Sequence, residues 1–459
     1  MTRLGSIADP PASLLLRGAR VVDPANGTDG VADLAIRDGT VVDPADLPAD
    51  AIRIDAEGLL AIPALCDLHA HLREPGDEQA ETIASGARAA AHGGYATVCA
   101  MPNTDPPLDE ASRVAWVRSL AADAACRVRV IAAATRGRAG ERLPEVMELA
   151  EQGVAGFSDD GATVASARVA RALLGYLAPL GLPLIEHAEE PGLAEGTAMR
   201  AGAVATRLGL AGWPASAELA IVERDIALAA ETGGWLHVTH LSTAAGLQAV
   251  RRAKAAGVRV TCDVTPHHLA LTDAWVAGDR RYAWEAPDGV GPFDALDPEL
   301  AYDGSCRVNP PLATRDDALA LLAGVADGSV DAIASDHAPH PPERKLVEFA
   351  AASPGMVGLE TALSLGLAAV AAGCLPLEAL VVALAVRPAG LIGEARSLAV
   401  GAAADLVLVD PGATWRVTTD RLASASANTP LLGRELPGVV SLTLAEGRVT
   451  YAEGLPGVD

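Results

Sequence analysis

The sequence predicts an α/β fold, a (β/α)8 barrel of the TIM type with a small β-sandwich domain built from both ends of the chain. Three observations predict it. Short apolar runs alternate with helical patterns in the middle of the chain, strand-like runs occur at both ends, and polar residues follow most of the central runs. The predicted division is residues 1–60 for the first part of the β domain, 61–393 for the barrel and 394–459 for the second part of the β domain. A doubly wound open sheet is the alternative.

The central runs have the length and composition of buried parallel strands. They are apolar, four to seven residues long, and separated by segments with helical spacing. The predicted strands are Leu60–Leu65, Ala96–Ala100, Val128–Ala133, Val154–Phe157, Leu182–Ile185, Trp235–Val238, Val258–Val264 and Val330–Ala334. The predicted helices between them include Gln79–His92, Ala111–Ala124, Val164–Ala178, Ala215–Thr232 and Ala244–Ala256.

The two ends of the chain show a different pattern, in which short β-branched or apolar runs are separated by Asp, Asn, Gly and Pro. These runs are Leu14–Val22, Ala32–Val42 and Ile52–Asp55 before the barrel, and Ala404–Val409, Thr414–Val417 and Val439–Val449 after it. Because similar runs flank the barrel on both sides, we expect them to form one domain. The longest apolar stretch, residues 359–386, is broken by Gly and Pro and contains Glu, which favours buried helices over a membrane span.

Composition limits the possible partners. A net charge of −24 and a pI near 4.7 repel phosphate groups, so we expect neither nucleic acid nor an anionic membrane surface as a partner. A small anionic substrate remains compatible, since cations within a pocket can outweigh a screened surface field. The six cysteines form no CxxC pair, and the first residues lack the apolar core of a secretory signal. We therefore expect a cytoplasmic enzyme.

Histidines and carboxylates near the ends of the central runs predict a metal centre. His69 and His71 stand two positions apart at the end of the first run, and on an extended strand both imidazoles would face the same side. The other candidates, each just past a later run, are Asp160, His187, His240 and Asp336. In a barrel these ends meet at one face. Six ligands are more than one four-coordinate catalytic zinc uses, so two metals sharing a bridging carboxylate account for the set. His92 and His237 are predicted to be structural, His267 and His268 to pack or to support the ligands, and His337 to point away from the site.

Six segments, in order along the chain, resemble the dihydroorotase family in its longer bacterial form, within the amidohydrolase superfamily. They are DLHAHLREPG at 67–76, MPNT at 101–104, FSDDG at 157–161, HAEE at 187–190, VNPPL at 308–312 and SDHAPH at 335–340. The resemblance spans essentially the whole chain. It implies a binuclear zinc barrel that reversibly converts (S)-dihydroorotate to N-carbamoyl-L-aspartate in pyrimidine (UMP) biosynthesis.

The same resemblance assigns the site residue by residue. It implies that His69 and His71 bind one zinc, and that His187 and His240 bind the other. Asp160 would bridge the two ions, with its neighbour Asp159 as the alternative. Asp336 would bind the first zinc and act as the catalytic acid and base. The implied substrate contacts are Arg73, Asn103, Asn309, His340 and the backbone around Pro354 and Gly355.

Two other functions are weighed against this one. Dihydropyrimidinases and allantoinases usually bridge their metals with a carbamylated lysine after the fourth strand, whereas the two lysines of this chain, Lys254 and Lys345, lie elsewhere. A barrel without metals could instead serve as a scaffold for aspartate transcarbamoylase, but the intact ligand positions argue against that function. We expect a small-molecule substrate, a homo-oligomer and, as a further possibility, a complex with aspartate transcarbamoylase.

Residues 273–305 form a segment longer than its counterpart in the family, and it is rich in the scarce aromatic residues of this chain. These residues are Trp275, Tyr282, Trp284, Phe293 and Tyr302. Aromatic residues are enriched in protein interfaces, so the segment could be a lid or a contact for a partner. A packed surface insertion is the equal alternative.

Overall fold

The computed structural model describes residues 3–285 and 296–455. Its strands are β1 (Arg3–Leu4), β2 (Leu14–Asp23), β3 (Thr28–Arg37), β4 (Thr40–Val42), β5 (Ile52–Asp55), β6 (Leu60–Pro63), β7 (Leu65–Ala70), β8 (Tyr95–Ala100), β9 (Arg127–Val130), β10 (Ala132–Ala133), β11 (Phe157–Ser158), β12 (Pro183–Glu186), β13 (Met199–Arg200), β14 (Gly212–Trp213), β15 (Trp235–Val238), β16 (Val260–Val264), β17 (Ala332–Ile333), β18 (Leu406–Arg416), β19 (Glu435–Ala445) and β20 (Arg448–Ala452). Its α-helices are α1 (Ile83–His92), α2 (Ala111–Leu120), α3 (Val146–Glu151), α4 (Ala167–Leu177), α5 (Pro191–Ala194), α6 (Ala203–Leu208), α7 (Ala215–Thr232), α8 (Ala244–Ala255), α9 (Pro266–Ala270), α10 (Arg315–Ala326), α11 (Pro342–Lys345), α12 (Ala362–Ala371), α13 (Leu377–Val381) and α14 (Arg387–Leu391).

The central strands close into a parallel barrel. One sheet has the order β7-β8-β9 and the next has the order β10-β11-β12-β15-β16-β17. The two sheets meet where Ile131 donates its amide proton to Ala100 O, 3.0 Å away. At the other seam Ala70 pairs with His337 in parallel register, and His71 N donates to His337 O at 2.8 Å. The ring is therefore closed, which confirms the barrel and makes the open-sheet alternative wrong.

The first predicted strand was wrong in its extent. The run predicted as one barrel strand, Leu60–Leu65, is divided between two sheets. Strand β6 pairs with β2 and β18 in the domain of the chain ends, and the barrel strand β7 begins only at Leu65. Both halves are buried and apolar, so hydropathy alone could not separate them. The predicted boundary between residues 60 and 61 stays a prediction, and it falls within β6.

Other predicted bounds differ by a few residues. Strands β11 and β17 are shorter than the apolar runs that predicted them. The predicted strand Ala32–Val42 is interrupted at Asp38 and Gly39, both of which adopt left-handed backbone conformations that suit a tight turn. Helix α1 begins at Ile83 because the side chain of Thr82 caps it reciprocally with Ser85.

The strands from both ends of the chain form one nine-stranded sheet with β6, and its faces enclose an apolar core of their own. The core contains residues from both ends, among them Leu16, Ile36, Leu408 and Leu444. This arrangement confirms the small β-sandwich domain. Asp405 joins this domain to the barrel because its carboxylate binds two arginines.

The Asp405 contact is a buried ion cluster. Arg127, at the start of β9, donates to the two Asp405 oxygens at 3.0 and 2.6 Å, and Arg396 Nη1 lies 2.8 Å away. Burial alone would raise the pKa of Asp405, but the two guanidinium groups outweigh it and lower that pKa.

Two apolar layers position the site. Inside the barrel, Leu68, Cys99, Ile131 and Ile185 pack below the carboxyl ends of the strands. Outside it, the helices pack against the strands in one continuous cluster. No helix among residues 3–285 and 296–455 is both long enough and apolar enough to cross a lipid bilayer.

The segment 273–305 is packed in the part that the structure describes. Trp275 and Tyr282 are buried with their rings stacked at 6.0 Å, and Tyr302 is half-exposed. Phe293 lies outside the described residues. For the described part, this packing favours a surface insertion over an open lid.

Candidate active site

Six side chains meet at the carboxyl-terminal face of the barrel. His69 lies within β7 and His71 just beyond it, while Asp160, His187, His240 and Asp336 follow β11, β12, β15 and β17. Each of the six is at most 7% exposed. The barrel thus brings together every metal ligand that the sequence predicted.

Asp160 stands between two groups of histidines. Its Oδ2 lies 3.4 Å from His69 Nε2 and 3.5 Å from His71 Nε2. Its Oδ1 lies 3.5 Å from His187 Nδ1 and 3.3 Å from His240 Nε2. The two candidate metal-binding groups therefore share one carboxylate.

Asp159, the alternative, points elsewhere. Its carboxylate accepts the amide proton of Thr135 at 2.9 Å and the hydroxyl of the same residue at 2.5 Å. Its hydrogen bonds hold the loop after β10, and neither candidate metal-binding group includes it.

Asp336 adds a second carboxylate beside the first pair of histidines. Its Oδ1 lies 3.2 Å from His71 Nε2 and 3.5 Å from His69 Nε2. Burial alone would raise the pKa of Asp336, but the imidazoles of His69 and His71 lower it well below its usual range. The group is therefore ionised at neutral pH.

The first pair of histidines has its tautomers set by its neighbours. Thr239 donates its hydroxyl proton to Asp263, so it accepts the Nδ1 proton of His69, 2.7 Å away. His71 Nδ1 lies 2.9 Å from the side-chain oxygen of Asn103 and donates to it. In the neutral form of the two imidazoles, both Nε2 atoms therefore carry lone pairs, and these nitrogens face each other at 3.2 Å.

This arrangement fits a metal ion. Two facing lone pairs repel each other unless a cation lies between them, and neutral imidazole with carboxylate is a donor set that zinc prefers. The electrostatics agree: burial alone would lower the pKa of His69, whereas Asp160 and Asp336 together raise it to about 10. The carboxylates thus favour positive charge at this point.

The sequence analysis missed the residues that support these ligands. Asp263, on β16, accepts hydrogen bonds from His237 Nε2 at 2.8 Å and from the backbone amide of His240 at 2.7 Å. Through Thr239, its carboxylate also orients His69. His237, which was assigned a structural role, is thus part of this support. The only sequence signal was an acidic residue near the end of an otherwise apolar run.

Three site residues have unusual backbone conformations. Arg73, His240 and Asp336 have φ of 59°, 39° and 44°, in the left-handed region that side chains with a Cβ seldom adopt. Such conformations cost about 1–3 kcal/mol each and cluster at functional sites. Here each lies two or three residues beyond the end of a barrel strand.

The predicted substrate contacts lie around the same cluster. Arg73 Nε donates to Pro339 O at 3.1 Å, and its Nη2 lies 3.4 Å from His340 Nε2. His340 Nε2 donates to Pro354 O at 2.8 Å. Burial, followed by the charge of Arg73, lowers the pKa of His340 to about 3, so this imidazole is neutral at pH 7. The remaining predicted contact, Asn309, lies 3.3 Å from His187 Nε2.

Neither lysine approaches the metal-binding groups. Lys254, on α8, forms an ion pair of 2.5 Å with Asp331. Lys345 is buried among backbone carbonyls of the loops beside the site. A carbamylated lysine therefore does not take the position that Asp160 occupies.

The fold and the site together define an amidohydrolase, a barrel hydrolase with a candidate metal centre at the carboxyl ends of its strands. The solved L-hydantoinase (dihydropyrimidinase) from Arthrobacter aurescens has the same fold, with a TM-score of 0.82 and 24% identity over 96% of this chain and 97% of its own. A family model described as Dihydro-orotase-like matches residues 58–245.

Relatives over nearly the full length give the family. The dihydroorotase of Anaeromyxobacter sp. (strain K) is 46% identical over 96% of this chain and 98% of its own length. The dihydroorotase of Geobacter metallireducens is 41% identical over 96% of this chain and 99% of its own. This chain belongs to the dihydroorotase family.

Proposed function

We propose that this protein interconverts (S)-dihydroorotate and N-carbamoyl-L-aspartate, a step of pyrimidine biosynthesis, with two zinc ions bound per subunit. The observation that carries the proposal is the placement of Asp160 between two pairs of histidines, beside an arginine and an ionised Asp336. His69, His71 and Asp336 would hold one ion, His187 and His240 the other, and Asp160 both. When bound, the ions supply Lewis acidity, which polarises a carbonyl group and makes a water molecule more acidic.

The residues of the chain supply the proton transfers. Ring opening forms a bond from water oxygen to the amide carbon and breaks the bond from that carbon to the ring nitrogen. Asp336 accepts the proton that the attacking water loses and delivers it to the departing nitrogen. In ring closure the same carboxylate takes a proton from the carbamoyl nitrogen and returns it to the leaving water.

Substrate selection follows from charge. Dihydroorotate carries a carboxylate, and Arg73 offers a planar, permanently charged partner that can bind both carboxylate oxygens. Asn103, Asn309 and the backbone at Pro354 and Gly355 add neutral hydrogen-bonding groups around it. His340 is neutral, so it contributes a hydrogen bond without adding a second positive charge beside Arg73.

The decisive experiment measures dihydroorotate hydrolysis by ultraviolet absorbance beside zinc quantitation on the same preparation. We expect turnover in both directions, about two zinc ions per chain, loss of activity on chelation, and recovery with added zinc. A protein that stays inactive with both sites filled would contradict the enzyme and support the scaffold for aspartate transcarbamoylase. Hydrolysis of uncharged cyclic ureides in preference to dihydroorotate would support a dihydropyrimidinase-like activity.

We propose that the enzyme is cytoplasmic and homo-oligomeric, and that aspartate transcarbamoylase is a candidate partner. The match to dihydroorotases over nearly the full length supports this proposal. Light scattering of the purified protein, alone and mixed with aspartate transcarbamoylase, measures both states. A monomer in the first sample would refute the homo-oligomer, and two separate species in the second would refute the complex.

A further inference from the structure

Two loops contain three of the residues proposed to contact the substrate: His340, Pro354 and Gly355. Neither loop is part of a helix or a named strand. One loop, residues 337–340, follows β17, and the other, residues 353–357, crosses beside it. They touch each other through Ala338 N, which donates to Met356 O at 2.8 Å, and through the bond from His340 to Pro354. Loops of this kind keep one conformation only if other groups hold them.

Asn428, from the segment between β18 and β19, binds both loops. Its side-chain oxygen accepts the amide proton of His340 at 2.9 Å, and its Nδ2 donates to Ala338 O at 3.0 Å and to Gly355 O at 3.1 Å. Its backbone oxygen accepts the amide proton of Val357 at 3.0 Å. The side chain is buried, so each of these bonds replaces water and would be costly to lose.

Lys345, at the end of α11, binds the same loop from another side. Its ammonium donates to Ser353 O at 2.7 Å, Gly355 O at 2.8 Å and Arg307 O at 3.2 Å, which uses all three of its protons. Burial lowers the pKa of Lys345 to about 7. Burying this amine among three carbonyl groups is costly, which favours a role that needs its geometry.

The two residues meet at one atom, Gly355 O. Gly355 has a φ of 132°, and a Cβ there would lie 2.6 Å from Ala338 Cβ and 3.2 Å from His340 Nε2. The loops therefore leave no room for a side chain at the position where Asn428 and Lys345 both attach. A small shift of Gly355 would move the groups assigned to the substrate, including His340.

We propose that Asn428 and Lys345 are positioning residues that hold the loops 337–340 and 353–357 in the substrate-binding arrangement before the substrate arrives. The inference rests on the proposed function for the identity of the substrate. It makes the carboxyl-terminal part of the chain a component of the binding site, although it supplies no metal ligand.

Kinetics of Asn428→Ala and Lys345→Met test the proposal. We expect KM for dihydroorotate to rise by about tenfold or more in each variant, kcat to fall by less than about threefold, and the zinc content to match the wild type. The double variant should raise KM by less than the product of the two single effects, because both side chains bind the same oxygen. Matched controls are Asn26→Ala, in a turn of the β domain, and Lys254→Met, on α8.

A KM within about twofold of the wild type in both single variants would overturn the proposal, as would equal losses of kcat and zinc. Should Asn428→Ala not fold, Asn428→Asp keeps the acceptor for His340 and replaces the donor to two carbonyls with an oxygen, and the same rise in KM is expected. Hydrogen exchange of the substrate-free wild type gives a measurement independent of activity. Slow exchange at His340 and Val357 is expected, and fast exchange there would refute the positioning role even if dihydroorotate proved not to be the substrate.

Discussion

Asp263→Asn should weaken metal binding although Asp263 touches neither candidate metal position. In the wild type, Oδ2 of this carboxylate accepts protons from Thr239 and His237, and Oδ1 accepts the amide proton of His240. An asparagine has one acceptor oxygen in place of two. Whichever way its amide is turned, at least one of these donors would face an NH2 group.

The size of the effect follows from that lost bond. An unsatisfied buried donor costs about 1–3 kcal/mol, and about 1.4 kcal/mol corresponds to a factor of ten in binding. The affected donors include the amide of His240 and the hydroxyl of Thr239, which binds His69. We therefore expect zinc affinity to fall by about 10- to 100-fold, the usual effect of removing a group that orients a metal-binding imidazole. Burial would raise the pKa of Asp263, but the hydrogen bond from His237 lowers it, so the charge is present at neutral pH.

Competition with a chromogenic chelator on the metal-free protein measures this affinity. The matched control is Asp331→Asn. The Asp331 carboxylate accepts the amide proton of Cys262, on the same strand as Asp263, at 2.8 Å, whereas the protons of Thr239, His237 and His240 go to Asp263. Zinc affinity within about twofold of the wild type in Asp263→Asn, with an unchanged circular dichroism spectrum, would refute the reasoning. An equal loss in the control would assign the effect to general destabilisation.

Five further substitutions test other parts of the site and the fold. Asp160→Ala should lose one or both zinc ions together with activity while Asp159→Ala keeps both ions, and the opposite result by metal analysis would make Asp159 the bridge. Asp336→Asn should lower turnover by about 100-fold or more in both directions, and near wild-type rates would exclude its role as acid and base. Arg73→Lys should raise KM by about tenfold because an ammonium cannot bind both carboxylate oxygens, and an unchanged KM would count against this contact. Asp405→Asn should reduce unfolding free energy by about 3 kcal/mol at pH 7. The folded-state pKa of Asp405 is lowered, so the difference in unfolding free energy, measured by urea denaturation, should be constant above the unfolded-state pKa. It should disappear as the pH falls through the folded-state pKa. A difference that does not depend on pH would exclude the ion cluster as its source.

The barrel and the convergence of the candidate metal ligands could be predicted from the sequence because both depend on local patterns. A parallel strand buried on both sides is a continuous apolar run, and its carboxyl end is marked by the first polar residue. His187 and His240 were found in this way without knowledge of their neighbours. The strand limits were less accurate since β6 and β7 form one apolar run, and the assignment of its halves to two sheets depends on pairing with β2, β18 and β8.

The supporting residues could not be predicted because they act across long distances in the sequence. Asp263 orients a histidine almost two hundred positions earlier, through a threonine that follows another strand. Asn428 binds loops that precede it by more than seventy positions. Nothing in the local pattern around either residue indicates its partner, although the rarity of lysine in this chain did single out Lys345.

The carboxyl-terminal part of the chain therefore does more than complete the small domain. Asn428 binds the substrate loops, and the preceding turn is held by Glu81 and Glu360, which accept amide protons from Ala425 and Ala423. Glu81 also pairs with His337, the residue next to Asp336. A chain ending at residue 393 would keep all six candidate metal ligands but leave two buried carboxylates and both loops without these partners. The candidate metal ligands and the loops proposed to bind the substrate are thus supported by different hydrogen bonds, from Asp263 and from Asn428, although the Glu81–His337 pair links the two regions. Variants of Asp263 and Asn428 should therefore separate zinc content from KM.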